Sequence, residues 1–167
     1  LPERLLAALR PEAAARYELP TDIVHDSRRR IRLAAALGAA AFALFLAVET
    51  IGLLGGNALE RRIDVIHDGL SLVLCGSLLL VASFSTLGDR WVLGFALAVE
   101  VLLSALISIA DPWASFVRTG HVPGLTWVIP VIILVPLLVP ARPRITLIVS
   151  SLCALTMPAG IGALASV

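Results

Sequence analysis

The chain has 167 residues, of which 59% are hydrophobic and only 15% are charged, and its net charge is +1. Soluble domains are typically about half apolar and about a quarter charged, so this composition excludes an ordinary soluble domain. It predicts an all-α, polytopic bundle of transmembrane helices, with the lipid bilayer as its first partner. The near-neutral charge balance gives no indication of nucleic-acid binding.

Residues 1–30 form a polar segment that we interpret as a cytoplasmic juxtamembrane region. Pro2 followed by apolar residues at helical spacing predicts a short amphipathic helix near its start. The segment lacks the continuous apolar core and cleavage site of a signal peptide. Because it begins with Leu1, we expect the chain to be a fragment of a longer protein.

Four arginines stand at the boundary of the first apolar run, and we interpret them as topology determinants. Basic residues next to membrane helices concentrate on the cytoplasmic side, so this cluster predicts a cytoplasmic N-terminus. Two further arginines, placed between the last two apolar runs, agree with that orientation. These residues are Arg28, Arg29, Arg30, Arg32, Arg142 and Arg144.

The apolar runs predict about five crossings within residues 31–167. The first, about 31–54, is rich in alanine, and small residues allow helices to approach closely in lipid. We therefore expect self-association through small-residue helix faces. A short interfacial helix is predicted at about 112–119, where Trp113, Phe116 and Val117 share one face. The remaining crossings are predicted at about 65–87, 91–110, 124–139 and 145–167.

The chain shows no phosphate-binding glycine loop, no nucleophile elbow and no metal-ligand spacing. We therefore expect no catalytic residue, no metal site and no cofactor within this chain. Cys75 and Cys153 both lie in apolar runs and are interpreted as packing residues rather than as a disulfide. The candidates for a functional role are polar residues within or beside the membrane.

Glu100, near the centre of the third crossing, is the first of these candidates. An ionised carboxylate at mid-bilayer costs at least about 2.5–3.5 kcal/mol, so Glu100 should face the bundle interior. It is either a proton-responsive or ligand-binding group, or a protonated side chain that hydrogen-bonds within the bundle, with Ser104 and Ser108 on its own face. Glu49 lies closer to the end of its crossing and is a weaker candidate.

His67 and Asp68 lie at the start of the second crossing and form a further candidate pair. Histidine titrates in the physiological range, so the pair is a possible sensor of external pH. The alternative is that the two residues cap a membrane helix at the level of the lipid headgroups.

The stretch Gly-x-x-Trp, then Pro-Leu-x-x-Pro-x-x-Pro-Arg-x-Thr-Leu, then a distant proline, resembles the N-terminal membrane region of bacterial Hanks-type serine/threonine protein kinases. Glu100–Val101 also matches a Glu-Val pair in the third membrane helix of that family. ATP and Mg²⁺ are then expected only in a kinase domain outside this chain. The matching positions are Gly124, Trp127, Pro136, Leu137, Pro140, Pro143, Arg144, Thr146, Leu147 and Pro158.

The resemblance implies a membrane sensor or anchor that regulates or localises a kinase in the bacterial inner (cytoplasmic) membrane. Two alternatives remain open. One is a sensor with a different output, such as a cyclase or a histidine kinase. The other is a small transporter or channel-like protein, which should contain discontinuous helices in matched halves.

Overall fold

The structure, a computed structural model, describes residues 21–52, 57–84, 86–122, 128–139, 141 and 143–165. Helices account for nearly all of these residues, and no strand occurs among them. The amphipathic helix predicted near the N-terminus lies outside the described residues. Five helices follow one another along the chain: α1 (Thr21–Ile51), α2 (Ala58–Phe84), α3 (Asp89–Thr119), α4 (Val128–Leu138) and α5 (Pro143–Ala165).

Four of the five helices, all except α4, are long and apolar enough to cross a membrane. This confirms the all-α class and makes the chain compatible with a multi-pass membrane protein. The exception has 11 residues. At 1.5 Å per residue it spans about 16 Å, roughly half of a bilayer core of about 30 Å. The predicted fourth crossing, at about 124–139, is therefore not a full-length membrane helix in the described part of the chain.

The helix ends follow local sequence signals. The side-chain oxygen of Asn57 accepts hydrogen bonds from the backbone N–H groups of Leu59 and Glu60, at 3.0 and 2.8 Å, and so caps the start of α2. The charged residues at 60–64 therefore belong to the first turns of α2, which begins at Ala58. At the end of α3, Gly120 adopts a left-handed conformation (φ 72°) and its N–H bonds the carbonyl of Phe116.

Residues 112–119 do not form the separate interfacial helix that the sequence predicted. They are the last turns of α3, which runs for 31 residues with Pro112 inside it. A proline normally breaks a helix because it lacks an N–H and its ring crowds the carbonyl four residues earlier. Within a bundle, neighbouring helices can compensate for the freed carbonyl.

Side-chain contacts fix the direction of the first three helices. Arg28 of α1 reaches Ala82 near the end of α2, and at the opposite end Gly52 faces Arg61 of α2. Neighbouring helices among α1, α2 and α3 are therefore antiparallel. We call the end that holds the starts of α1 and α3 the Arg28 end. The opposite end, where α2 begins and α3 finishes, is the Glu60 end.

The last helix, α5, runs parallel to α3. Thr156 of α5 pairs with Ser108, and Gly160, one turn further along, lies against the same residue. The chain must therefore return from the Glu60 end to the Arg28 end between residues 119 and 143. Among the described residues of this return, α4 is the only helix between α3 and α5.

The apolar core lies towards the Arg28 end, between α1, α2, α3 and the end of α4. The small residues of the first crossing contribute directly, because Gly38 sits so close to the Cys75 sulfur that an added Cβ would lie 3.0 Å from it. The buried members of this core are Ile31, Ala35, Leu78, Ala82, Val92, Ala96, Val99 and Val139.

Candidate functional site: a buried glutamate in the middle of the bundle

Glu100 lies on the buried face of α3 and is only 2% exposed. Neither of its carboxyl oxygens has a hydrogen-bond partner among the residues that the structure describes. The same helix face carries Ala96, Ser104 and Ser108, all buried, at intervals of four residues. Helical periodicity therefore directs the carboxyl group inward, as the sequence predicted.

A cavity of about 150 Å³ lies beside this carboxyl group. Its walls come from α1, α2, α3 and α4, and they are almost entirely apolar. The space exists partly because α1 contributes small side chains here. Residues from the other helices that face the cavity with Glu100 include Ala34, Ala35, Gly38, Cys75, Leu78 and Val135.

An unpaired carboxyl group in such surroundings is costly, since burying a polar group without a compensating hydrogen bond costs about 1–3 kcal/mol even by protein mutational data. The charged form is disfavoured further by the low dielectric of the interior. The arrangement can therefore hold a proton at Glu100, or offer that carboxyl to a small donor or cation that enters the cavity.

Ser104 and Ser108, the partners expected if Glu100 were only a packing residue, do not bond its carboxyl group. The hydroxyl of Ser108 instead lies 2.7 Å from that of Thr156 on α5. The Thr156 hydroxyl in turn approaches the carbonyl oxygens of Cys153 and Ser104, at 2.7 and 3.3 Å. The serine face of α3 thus joins α3 to α5 and leaves Glu100 unpaired.

A close backbone contact completes the joint between α3 and α5. Because Pro112 has no N–H, the carbonyl of Ser108 loses its usual helical donor. Gly160 lies directly against that carbonyl, and a Cβ on Gly160 would overlap the oxygen. Only glycine fits here, and Cα–H groups can contact the exposed oxygen favourably. The sequence signal that could have revealed this joint is the matched four-residue spacing of Ser104, Ser108 and Pro112.

The other candidate residues gather at the Glu60 end, apart from the Glu100 cavity. His67 Nδ1 lies 3.0 Å from Asp68 Oδ1, and the His67 ring packs edge-on against Phe42 of α1. Asp68 is buried, as is Glu49 at the end of α1. Asp68 thus lies inside the bundle, whereas His67 is partly buried between α1 and α2; sequence reasoning left both positions open.

This end also contains an ion pair that the sequence did not predict. Glu60 is buried, and its carboxylate lies 3.4 Å from the guanidinium of Arg118, which is 62% exposed. Asp64 lies close enough to Glu49, Glu60 and Asp68 to interact with them electrostatically. In the described part of the chain, no group of three or more His, Cys, Asp or Glu residues is arranged to hold a metal ion.

Arg28, predicted as a topology determinant, has a specific structural role. Its Nε donates a hydrogen bond to the carbonyl of Ala82 at 2.8 Å, and its Nη1 lies 3.3 Å from Asp89 Oδ1. The side chain therefore joins the start of α1 to the end of α2 and the start of α3. Arg29 and Arg32 are exposed, and Arg30 pairs with Asp26 on the same helix.

The proline-rich pattern that resembles kinase membrane regions is spread along α4 and α5. Pro136 lies within α4, Pro143 is the first residue of α5, and Pro158 lies inside that helix. Arg144 is exposed and Thr146 is half-buried. Of these residues, Pro143, Arg144, Thr146 and Pro158 do not line the Glu100 cavity. The remaining candidates, Gly124, Trp127, Pro140 and Arg142, lie outside the described residues.

Comparison of the chain with protein-family models, with curated proteins and with solved structures gave no match. The fold alone therefore defines the class: a helical protein with four helices long and apolar enough to cross a membrane. Its distinguishing feature is a buried glutamate that lies beside an apolar cavity and has no hydrogen-bond partner in the described part of the chain.

Proposed function

We propose that this chain is the membrane sensor or anchor region of a bacterial signalling protein whose output is a serine/threonine kinase domain outside the chain. Two facts support the proposal. The sequence resembles the membrane region of such kinases, and Glu100 occupies the interior of the bundle without a hydrogen-bond partner among the described residues. The second observation carries the proposal, because an uncompensated polar group in a membrane is most often kept for function.

In this proposal, the signal acts by changing the occupancy or protonation of the Glu100 cavity. The cavity touches α1, α2, α3 and α4, so a proton or ligand there alters the packing of four helices together. Its wall includes Ile31 and Val139, which belong to the core at the Arg28 end. A change in packing at Glu100 can therefore reach the start of α1 through these two residues. We place the start of α1 on the cytoplasmic side of the bacterial inner membrane.

Self-association is a second part of the proposal. Small residues recur at intervals of three and four on an outer face of α1, and they are exposed to the membrane. Such faces allow two helices to pack closely in lipid. A dimer formed here would bring two cytoplasmic output domains together. The face consists of Ala36, Ala40, Ala43 and Ala47.

We expect Ala40→Leu to weaken dimerisation by about 1 kcal/mol or more, because a larger side chain separates the helix backbones. Energy transfer between labelled chains in vesicles measures the association. Ala41→Leu is the matched control, since Ala41 is also exposed but lies among the large side chains of Leu37, Leu44 and Phe45. Equal association of the two variants would remove the α1 face from the proposal.

The experiment that tests the function uses the natural full-length protein in native membranes. Serine/threonine phosphorylation is measured with ATP across a series of pH values, for the unaltered protein and for Glu100→Gln. We expect phosphoryl transfer in both, with the response to pH lost in Glu100→Gln. Glu60→Gln serves as the control, because Glu60 already has a protein partner in Arg118. An absence of phosphoryl transfer would contradict the kinase output, and a cyclase or histidine-kinase assay would then identify another.

One observation favours a second candidate function, a proton-coupled transporter. The short helix α4 ends beside the Glu100 cavity, whose wall includes Val135 of α4 and Val139, the residue that follows it. Transporters often bind substrates where a discontinuous helix meets the bundle interior. Proton flux into vesicles that contain the purified chain tests this candidate. Flux that is abolished by Glu100→Gln would support transport and contradict a purely sensory role.

A further inference from the structure

The four arginines at the start of α1 fall into two groups. Arg28 and Arg30 each lie beside a carboxylate, at N–O distances of 3.3 and 2.7 Å. Arg29 and Arg32 are exposed, and neither has an ion-pair partner among the described residues. Two guanidinium groups at the Arg28 end are therefore accessible to a partner from outside the chain.

Arg29 and Arg32 are neighbours on the surface of α1. Side chains three residues apart in a helix lie about 5–6 Å from each other at their Cβ atoms, so both guanidinium groups can contact one anion. The core contacts in this part of α1 are made by Ile31 and Ala35, which are buried. The two arginines therefore face lipid and water rather than the interior of the bundle.

The depth of the pair follows from the apolar part of α1. Arg32 is the last charged residue before this part, and the next charged residue, Glu49, comes 17 positions later. At 1.5 Å per residue, the two residues are about 26 Å apart along the helix axis, close to the roughly 30 Å of a hydrocarbon core. Arg29 and Arg32 therefore lie at the level of the lipid headgroups.

The chemistry of this pair defines the lipid that it binds. Guanidinium groups bind phosphate through two parallel N–H···O hydrogen bonds, and every phospholipid headgroup contains a phosphate. In phosphatidylcholine, the choline cation of the same headgroup neutralises that phosphate. The headgroup of phosphatidylglycerol has a net negative charge, which attracts adjacent basic residues. Two neighbouring arginines therefore favour the anionic lipid.

We propose that Arg29 and Arg32 form a binding site for one anionic phospholipid at the Arg28 end. The two guanidinium groups hold the lipid phosphate, and an acyl chain lies along Leu33 and Leu37, which are 58% and 72% exposed. The site does not depend on self-association, because both arginines belong to one chain. Binding makes the position of α1 in the membrane depend on the charge of the surrounding lipid.

Site-specific fluorescence quenching tests the proposal. Leu37→Trp introduces a tryptophan beneath the site, in a chain that also carries Trp91→Phe, Trp113→Phe and Trp127→Phe. The purified chain is placed in vesicles of phosphatidylcholine and phosphatidylglycerol, with one of the two lipids brominated in its acyl chains. We expect phosphatidylglycerol to bind at least about fivefold more tightly, as one arginine near an anionic surface already implies. Equal binding of the two lipids would overturn the proposal.

A pair of double variants separates this site from the overall charge of the chain. Arg29→Gln with Arg32→Gln should abolish the preference for phosphatidylglycerol. Arg62→Gln with Arg144→Gln is the matched control, because it also removes two exposed arginines and gives the same net charge. We expect this control to keep the preference. An equal loss in both double variants would show that overall charge attracts the lipid, and would overturn the site.

A second measurement uses the unaltered chain, so it does not depend on whether the variants fold. Electron paramagnetic resonance of spin-labelled lipids reports the fraction of lipid that is immobilised at the protein surface. We expect a larger immobilised fraction for spin-labelled phosphatidylglycerol than for spin-labelled phosphatidylcholine, and a smaller difference at high salt, which screens exposed charges. Equal fractions at low salt would contradict the proposal.

Discussion

The middle of the bundle and its two ends are held together by different interactions. At the ends, charged side chains cross between helices: Arg28 contacts Asp89 at one end, and Arg118 contacts Glu60 at the other. In the middle, small side chains, hydroxyls and backbone groups make the contacts, as where Gly160 lies against Ser108. The difference follows from the solvent, because charged groups are tolerated near water but are costly within hydrocarbon.

Glu100 is the exception to this division. It is a carboxyl group in the middle of the bundle, yet it has neither an ion-pair partner nor a hydrogen bond among the described residues. Glu60, at the end, is also buried but has Arg118 beside it. Glu60 therefore contributes to the structure through its ion pair. The burial of Glu100 has no such structural explanation.

The largest effect on stability is expected from Gly160→Ala in the middle of the bundle. The added Cβ would overlap the carbonyl oxygen of Ser108, which is backbone and cannot rotate away. Overpacking of this kind costs about 1–3 kcal/mol, occasionally more, so we expect a loss near the top of that range. Unfolding in mixed detergent micelles measures it.

Gly162→Ala provides the matched control for this change, because it lies on the same helix and a Cβ there would meet nothing within 4 Å. We expect its free energy of unfolding to be unchanged or to rise by up to about 1 kcal/mol, because alanine has the better helix propensity. Equal effects at the two glycines would show that α3 and α5 are not in close contact.

A smaller loss is expected at the Arg28 end. Arg28→Ala removes the hydrogen bond to the Ala82 carbonyl and the ion pair with Asp89. Because hydrogen bonds that involve a charged group contribute about 1.5–3 kcal/mol and this one is partly exposed, we expect a loss of about 1–2 kcal/mol. Arg29→Ala, next in sequence but exposed, should leave the unfolding free energy nearly unchanged. If the two variants are equally stable, the contacts of Arg28 with Ala82 and Asp89 do not stabilise the fold, and only its role as a topology determinant remains.

The smallest effect is expected at the Glu60 end. A double-mutant cycle with Glu60→Gln and Arg118→Gln isolates the energy of the ion pair. Arg118 is 62% exposed, and exposed pairs typically contribute about 0.2–1 kcal/mol. A coupling energy well above that range would mean that this end, like the middle, excludes water.

Much of this fold was predictable from the sequence, because long apolar runs specify membrane helices by length alone. The position of Glu100 on an inward face was also predictable, since a charged group cannot face lipid cheaply. The passage of α3 straight through Pro112 was not, because it depends on Gly160 of a helix 48 residues later in the chain. The fourth crossing was expected to be shorter than the others, at about 124–139, and within it the structure describes a helix over Val128–Leu138.

The candidate site was predictable only in part. Sequence reasoning identified Glu100, but it could not predict the cavity, which arises where four helices leave space around Gly38 and Cys75. The same limit applied to Trp113, which was placed on one face of a predicted interfacial helix but lines a groove with His67. Both features depend on the register between helices, and single-helix periodicity does not contain that information.

The most direct test of the central claim compares the free energies of unfolding of the unaltered chain and Glu100→Met in lipid-detergent micelles. Methionine has nearly the volume of glutamate and adapts to irregular space. If Glu100 is unpaired as described, removing its polar atoms should leave stability unchanged or raise it by about 1–3 kcal/mol. A loss of more than about 2 kcal/mol would show that Glu100 stabilises the fold through a partner, and would contradict the claim that it is kept for function.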